Sequence, residues 1–366
     1  MRVKPQITTL AWVAMLLAVC TPTQHASVFA QARASESVDA TEQSSVIDVL
    51  VTTLQTVYVF PAISARLATG IRARQATGAY DRLTDATRFA QALTEDLQAI
   101  SNDKHLVVEV ADAPTDANAA PAAPKRSPAH ANAPLTSPQQ REACHFVNVA
   151  TLTGNVGYIK FDAFASPSMC AETAGAAMNL VAGCDALVVD LRDNRGGDPA
   201  MVAFMASYLF MKPVRLSDVF ERRTGVTYET WTLPFVPGPR FVDTPVFIVT
   251  SHRTFSAAEQ FAYDLQSLKR AVVVGEPSGG GAHPTESFAI DARFSVSVPI
   301  GRYVNPITQT NWEGRGVEPS VHVHERVSVQ AAYREALRQI LNTSTPDHRV
   351  EIQRQIDALT KAIGGS

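Results

Sequence analysis

Among the hydroxyl side chains of the chain, Ser256 has the setting best suited to nucleophilic chemistry. Thr250 to Glu276 reads as a strand end, a sharp loop, a helix and the start of the next strand, with Ser256 at the mouth of the helix. Val246 to Val249 and Ala271 to Val274 are short continuous apolar runs, as expected for strands buried on both faces. Between them Phe261, Leu265 and Leu268 fall at i, i+4 and i+7, one apolar stripe of a helix that begins just after the serine. A hydroxyl in that place meets unsatisfied backbone N–H groups and the positive end of the helix dipole, both of which stabilise an alkoxide or an oxyanion. The plainer reading of the same residue is a helix N-cap, for which serine is among the preferred types. Elsewhere, His322-Val323-His324 has a metal-like spacing without a clear third ligand, and His252 is expected in a solvent-facing loop. No metal and no organic cofactor are expected.

The elements that would hold Ser256 in place are those of an α/β core. Cys144 to Ala150 and Val156 to Phe161 flank Gly154-Asn155 as a hairpin; a small-residue helix over Met169 to Val181 follows, then the apolar strand Ala186 to Val189. That strand runs into Asp190-Leu191-Arg192-Asp193-Asn194-Arg195-Gly196-Gly197, and Met201 to Leu209 is helical again. Arg215 to Leu233 alternates as a hairpin around Gly225, and strand-like segments recur at Phe288 to Ile290 and Phe294 to Val298. Alternation of helices with apolar strands implies a largely parallel sheet. Residues 143–326 are expected to form this core, and residues 327–366 two outer amphipathic helices, the first with Ser328 as its N-cap.

Ahead of the core, residues 40–106 read as a separate unit of three helices. Ile47, Leu50, Leu54 and Val57 make the first apolar face, Ile63, Leu67 and Ile71 the second, and Phe89, Leu93, Leu97 and Ile100 the third, behind Asp85 as N-cap. Residues 112–142, with six prolines between Pro114 and Pro138 among alanines, serines and asparagines, read as a linker or long surface loop that cannot pack a core.

Residues 1–30 have the pattern of a secretory leader: Arg2 and Lys4, an apolar stretch around Leu10 to Val19, and small or apolar residues before a cut after Ala30. An exported, periplasmic or extracellular protein is therefore expected, with no transmembrane segment after leader removal. Loss of Arg2 and Lys4 takes the net charge from −3 to about −5, a balance that gives no electrostatic case for nucleic acid or an anionic membrane. Cys144, Cys170 and Cys184 would remain. Cys170 and Cys184 stand at opposite ends of one predicted helix, about 20 Å apart at 1.5 Å per residue, which leaves Cys144–Cys170 as the pair to test for a disulfide.

Four segments taken in order, D-L-R-D-N-R-G-G, T-S-H-R-T-F-S-A-A-E-Q-F-A, V-V-G-E-P-S-G-G-G-A-H-P and N-W-E-G-R-G-V-E-P, resemble the superfamily of C-terminal processing peptidases, the tricorn core protease and interphotoreceptor retinoid-binding protein. The helical front, with Y-V-F-P and S-N-D-K-H-L, is most similar to the retinoid-binding branch. The resemblance covers nearly the whole chain after the leader. It implies a core of the crotonase and Clp protease kind built from ββα units, behind an N-terminal three-helix domain.

By the same resemblance, counting back from Glu259 places the nucleophile at Ser256. The lysine base of the C-terminal processing branch would fall on Gly281, so a serine–lysine dyad is excluded, and Lys269 on the helix cannot replace it. The tricorn-like branch implies His105 as base and Glu313 as the late carboxylate, which orients the base or binds water. His283, in the glycine-rich segment, is the alternative base. Where the tricorn pattern has a serine before the histidine this chain has Lys104, and Ser101 is no obvious substitute. Gly197, with Gly196 beside it, and the Ala257 N–H are the implied oxyanion donors. The resemblance thus implies an exported serine peptidase acting on peptide or protein substrates. The alternative is a non-catalytic binder of a hydrophobic ligand such as a retinoid or fatty acid.

Overall fold

A computed structural model of the chain describes residues 37–110 and 143–364. The expected leader and the Pro/Ala-rich stretch 112–142 lie outside the described residues.

The apolar runs do become strands buried on both faces. The main sheet contains β2 (Phe146–Leu152), β3 (Val156–Phe161), β4 (Ala186–Asp190), β7 (Val246–Thr250), β8 (Ala271–Gly275) and β12 (Val321–His322) in the order β12-β8-β7-β4-β3-β2. All neighbours are parallel except the β2–β3 hairpin. Alternate residues of one strand enter different cores, as the two-residue period requires. Leu187, Val189, Val246 and Ile248 pack with α4 (Pro167–Leu180), α5 (Pro199–Ser207) and α6 (Ala257–Ser267). Val188, Phe247 and Val249 pack with α7 (Glu325–Leu341) and α8 (Pro346–Gly364) on the other face. Both α4 and α5 begin two residues earlier than their apolar patterns suggest, because Pro167 and Pro199 occupy first-turn positions where a missing N–H costs nothing. The expected cap of α7 needs correction: His324, not Ser328, precedes the helix and accepts the Arg326 N–H, while Ser328 donates to the Glu325 carbonyl inside the first turn.

The front unit contains α1 (Ala40–Val57), α2 (Pro61–Ala76) and α3 (Ala86–Ser101). Asp39 and Asp85 cap the first and third through the N–H groups of Glu42 and Arg88. These helices share their core with a second sheet, β1 (Val107–Val110), β10 (Phe294–Pro299) and β9 (Thr285–Ala289), in the order β1-β10-β9. Phe294, Val296 and Val298 therefore pack against α1 and α3, and residues late in the sequence close the helical core. A third small sheet orders β11 (Gly301–Val304), β5 (Asp218–Glu221) and β6 (Val226–Tyr228), the latter two forming the expected hairpin around Gly225.

Cys144 and Cys170 form a disulfide with Cα atoms 5.7 Å apart, while Cys184 is free and buried. The bridge ties the chain entering β2 to the first turn of α4 and closes a loop with a separation of 26 residues. Mutating Cys144 and Cys170 together to serine should cost about 3 kcal/mol by chain entropy, read as a lower midpoint in urea unfolding with an unchanged fold by circular dichroism. No helix among the described residues is long and apolar enough to cross a membrane.

Candidate active site

Three loops leave the C-terminal ends of the adjacent parallel strands β4, β7 and β8, the position where open α/β sheets bind ligands. The first two are stitched together: Ser251 Oγ donates to the Arg192 carbonyl, Thr254 Oγ1 to the Leu191 carbonyl, and the Phe255 N–H to the Asn194 carbonyl. Arg253 reinforces them from outside by reaching both Asp193 and Glu325.

This stitching delivers Ser256 to the start of α6 in a conformation that an ordinary N-cap does not have. Its φ is 54° and ψ is −121°, whereas capping residues are normally extended. A non-glycine residue in that region is strained, by about 1–3 kcal/mol, and persists only where its surroundings over-determine it. The Ser256 N–H donates to Glu259 Oε2 at 2.8 Å. Gly196 of the first loop lies directly against the serine: a methyl group on it would stand 2.7 Å from Ser256 Cβ and 3.0 Å from Ala257 N, while Gly197 next to it packs on the Phe164 backbone. Gly196 donates its N–H to Asn194 Oδ1, but the N–H groups of Gly197 and Ala257 have no acceptor among the described residues. Free amides beside a serine at a helix start are a suitable cradle for an anionic oxygen.

Glu259 organises the third loop. Its buried carboxylate accepts from Ser278 Oγ and from the N–H groups of Gly280 and Gly281, in addition to Ser256. Burial pushes this carboxyl up to about 7, against the pull of those four donors. Asp264 in the same helix is likewise raised by burial, to about 6, against hydrogen bonds led by Ser217. Both groups bind protons more tightly folded than unfolded, so their contribution is fully present below the ordinary values of 4.5 and 3.8 and is lost as pH rises through about 7 and about 6. Glu259 alone should cost on the order of 3 kcal/mol across its window. Glu259→Gln should flatten the fall in melting temperature between pH 4.5 and 7, leaving the Asp264 part, as differential scanning calorimetry would show.

His105 arrives from the helical unit. Asn102, at φ 59°, ends α3 in the left-handed conformation, and the chain hooks back so that Asp103 and His105 are both buried. The imidazole lies 4.7 Å from the Phe255 ring, centroid to centroid, one residue before Ser256. Gly281 backs it so closely that a methyl group there would come within 2.6 Å of His105 Cε1. Both ring nitrogens are buried and, among the described residues, hydrogen-bonded to nothing, Ser256 included. Lys104, the residue that departs from the tricorn pattern, donates its Nζ to the Gly279 carbonyl at 2.6 Å and anchors the helical unit to the same loop.

His283 and Glu313 lie on the far side of Asp103, the aspartate that also stands beside His105. His283 Nδ1 lies 2.7 Å from Asp103 Oδ2 and 3.5 Å from Glu313 Oε2, with its ring edge-on to Phe60. Glu313 accepts the Ala282 N–H, and the neighbouring Trp312 donates Nε1 to the Gly281 carbonyl, so this turn braces the glycine loop. Burial pushes the Glu313 carboxyl up against the pull of His283, and the charge on Asp103 adds to the rise.

The residue that sequence reasoning missed is Asp103. One oxygen, Oδ1, accepts the His105 backbone N–H at 3.0 Å and stands 3.6 Å from His105 Nδ1. The other, Oδ2, accepts from Tyr58 Oη at 3.1 Å and meets His283. Burial favours its protonated form, but the imidazoles of His105 and His283 outweigh that and hold the carboxyl well below the usual range. The only signal in the sequence was an aspartate two residues before a histidine.

Two family models match this chain. Residues 155–323 match peptidase family S41, and residues 39–148 match the N-terminal domain of that family in eukaryotic interphotoreceptor retinoid-binding protein. The chain belongs to peptidase family S41. It is 26% identical over 185 residues to carboxyl-terminal-processing peptidase 2 of Arabidopsis thaliana, a match covering 50% of this chain and 35% of that protein. It is 29% identical over 153 residues to a carboxyl-terminal-processing protease of Synechocystis, covering 42% and 34%. The matches thus span about a third of these relatives. A crystal structure of a candidate peptidase from Parabacteroides merdae superposes with a TM-score of 0.54 at 15% identity, covering 81% of this chain and 96% of that one, a likeness of fold. The mixed α/β core is accordingly the Clp-like fold of this family.

Proposed function

We propose that this S41 chain is an exported serine peptidase. The observation that carries the reading is Ser256 itself, held at positive φ at the start of α6 beside two unengaged amides. Strained residues cluster at functional sites, and free amides beside a hydroxyl suit an anionic oxygen better than an apolar ligand.

In this reading Ser256 Oγ attacks a peptide carbonyl while His105 takes its proton, and the Gly197 and Ala257 N–H groups receive the negative charge on the carbonyl oxygen. The protonated imidazole then delivers the proton to the leaving amine, and water completes hydrolysis of the acyl-enzyme by the reverse route. Asp103 orients His105 and stabilises its charged form. Glu313 assists by bracing the glycine loop behind the imidazole. The His105 imidazole, whose nitrogens have no hydrogen-bond partner among the described residues, closes on Ser256 when a substrate fills the cleft. His283 is the weaker candidate for the base because its ring packs on Phe60, whereas the His105 ring packs on Phe255, the residue before the serine. The Cys144–Cys170 disulfide and the leader-like N-terminus both support an oxidising, exported location.

A peptide mixture incubated in oxygen-18 water tests the reaction class. New carboxyl termini carrying the heavy isotope should appear with the wild type and vanish with Ser256→Ala. Identical peptide profiles for the two proteins would overturn the reading.

A further inference from the structure

Two histidines share one buried carboxylate in this site, and of the two it is His105 whose ring packs on Phe255, the residue before the serine. We propose that His283 is a positioning residue: its Nδ1–H holds Asp103 in the orientation that presents Oδ1 to His105. The inference rests on the peptidase reading above and adds to it a residue whose polar partners are Asp103 and Glu313.

Asp103 is held below the ordinary carboxylate range and so remains an acceptor, which makes the 2.7 Å contact a donation from His283 Nδ1–H. Tyr58 Oη donates to the same oxygen, and the His105 N–H donates to the other. Three donors in three directions leave the carboxylate no freedom to rotate. His283 is itself fixed by Phe60 on its ring and by Glu313, whose Oε2 lies 3.5 Å from the same nitrogen. The charged and titratable groups facing His283 are thus Asp103, Glu313 and Tyr58, with Arg302 lining the same cavity of about 260 Å³ and His105 across Asp103. Without the Nδ1–H between them, the Asp103 and Glu313 carboxylates would face one another unscreened. Two like charges at that distance cannot both stay ionised in a buried site, so Asp103 would turn away or take up a proton. Either change removes from His105 the negative partner that favours its protonated form.

The test compares His283→Ala with His283→Asn, whose side-chain amide carries an N–H close to where Nδ1–H stood. The rate at which a fluorophosphonate probe labels the folded wild-type protein is followed from pH 5 to 9 for all three. His283→Ala should label at least about tenfold more slowly, with the acidic limb of its profile displaced, and His283→Asn should recover most of that loss. Equal losses in both variants, or wild-type behaviour in His283→Ala, would overturn the proposal. Absence of labelling in the wild type would instead overturn the peptidase reading. The positioning role then still has its own readout, because the His105 imidazole nitrogen-15 titration should shift in His283→Ala and return in His283→Asn. An unmoved His105 titration would refute it.

Discussion

Ser256→Ala and Ser256→Gly should both abolish turnover, by about 10⁴-fold or more, and yet differ in stability. Alanine retains the Cβ that makes φ 54° and ψ −121° unfavourable, so the strain survives the loss of the hydroxyl. Glycine removes the Cβ, and with it the steric penalty of this backbone conformation. Ser256→Gly should therefore unfold in urea at least about 1 kcal/mol later than Ser256→Ala, despite the greater freedom of its unfolded chain. A dead enzyme more stable than its alanine counterpart would identify the strain as something retained for function. If instead the two variants were equally stable, the serine would be no more than a capping residue.

The second large effect is expected at Asp103. Asp103→Asn preserves the shape of the side chain but replaces one acceptor oxygen by a donor, while its neighbours Tyr58, His283 and the His105 N–H all donate. Either one of them meets a donor, or the amide turns its NH2 to Tyr58 and His283, which must then reverse their roles; in both cases His105 loses a negative partner that stabilises its protonated form. A fall in kcat/KM of about 10³–10⁴-fold should follow, with KM little changed, since the group acts on the base and not on bound substrate. Kinetics on any peptide that the wild type cleaves would check this, with circular dichroism confirming the fold. A loss of less than tenfold would remove Asp103 from the mechanism.

What could be read from the chain alone divides along the line between local and long-range determinants. The parallel strands and α6 were legible because burial on both faces leaves continuous apolar runs, and Asp85 was legible as a cap because capping is decided within three residues. Helix rise argued only against pairing Cys170 with Cys184 and left Cys144–Cys170 as the pair to test; the bridge is there, although the helix ends at Leu180, short of Cys184. Ser256 was visible as a serine entering a helix, but its positive φ was not, since the strain is imposed by Glu259 and by Asn194 on another loop. Asp103 was invisible for a related reason: its role is set by His283, 180 positions away, and by Tyr58 in another helix's exit. The recruitment of Phe294 to Val298 into the helical core has the same origin, because an alternating strand shows which face is apolar and not what will cover it.

The central claim is that Ser256 is a nucleophile activated by His105. Treating the folded protein with a fluorophosphonate probe and mapping the adduct by peptide mass spectrometry tests it most directly. One adduct is expected, on Ser256, formed by the wild type and lost in His105→Ala. No adduct on Ser256, or equal labelling of wild type and His105→Ala, would contradict it.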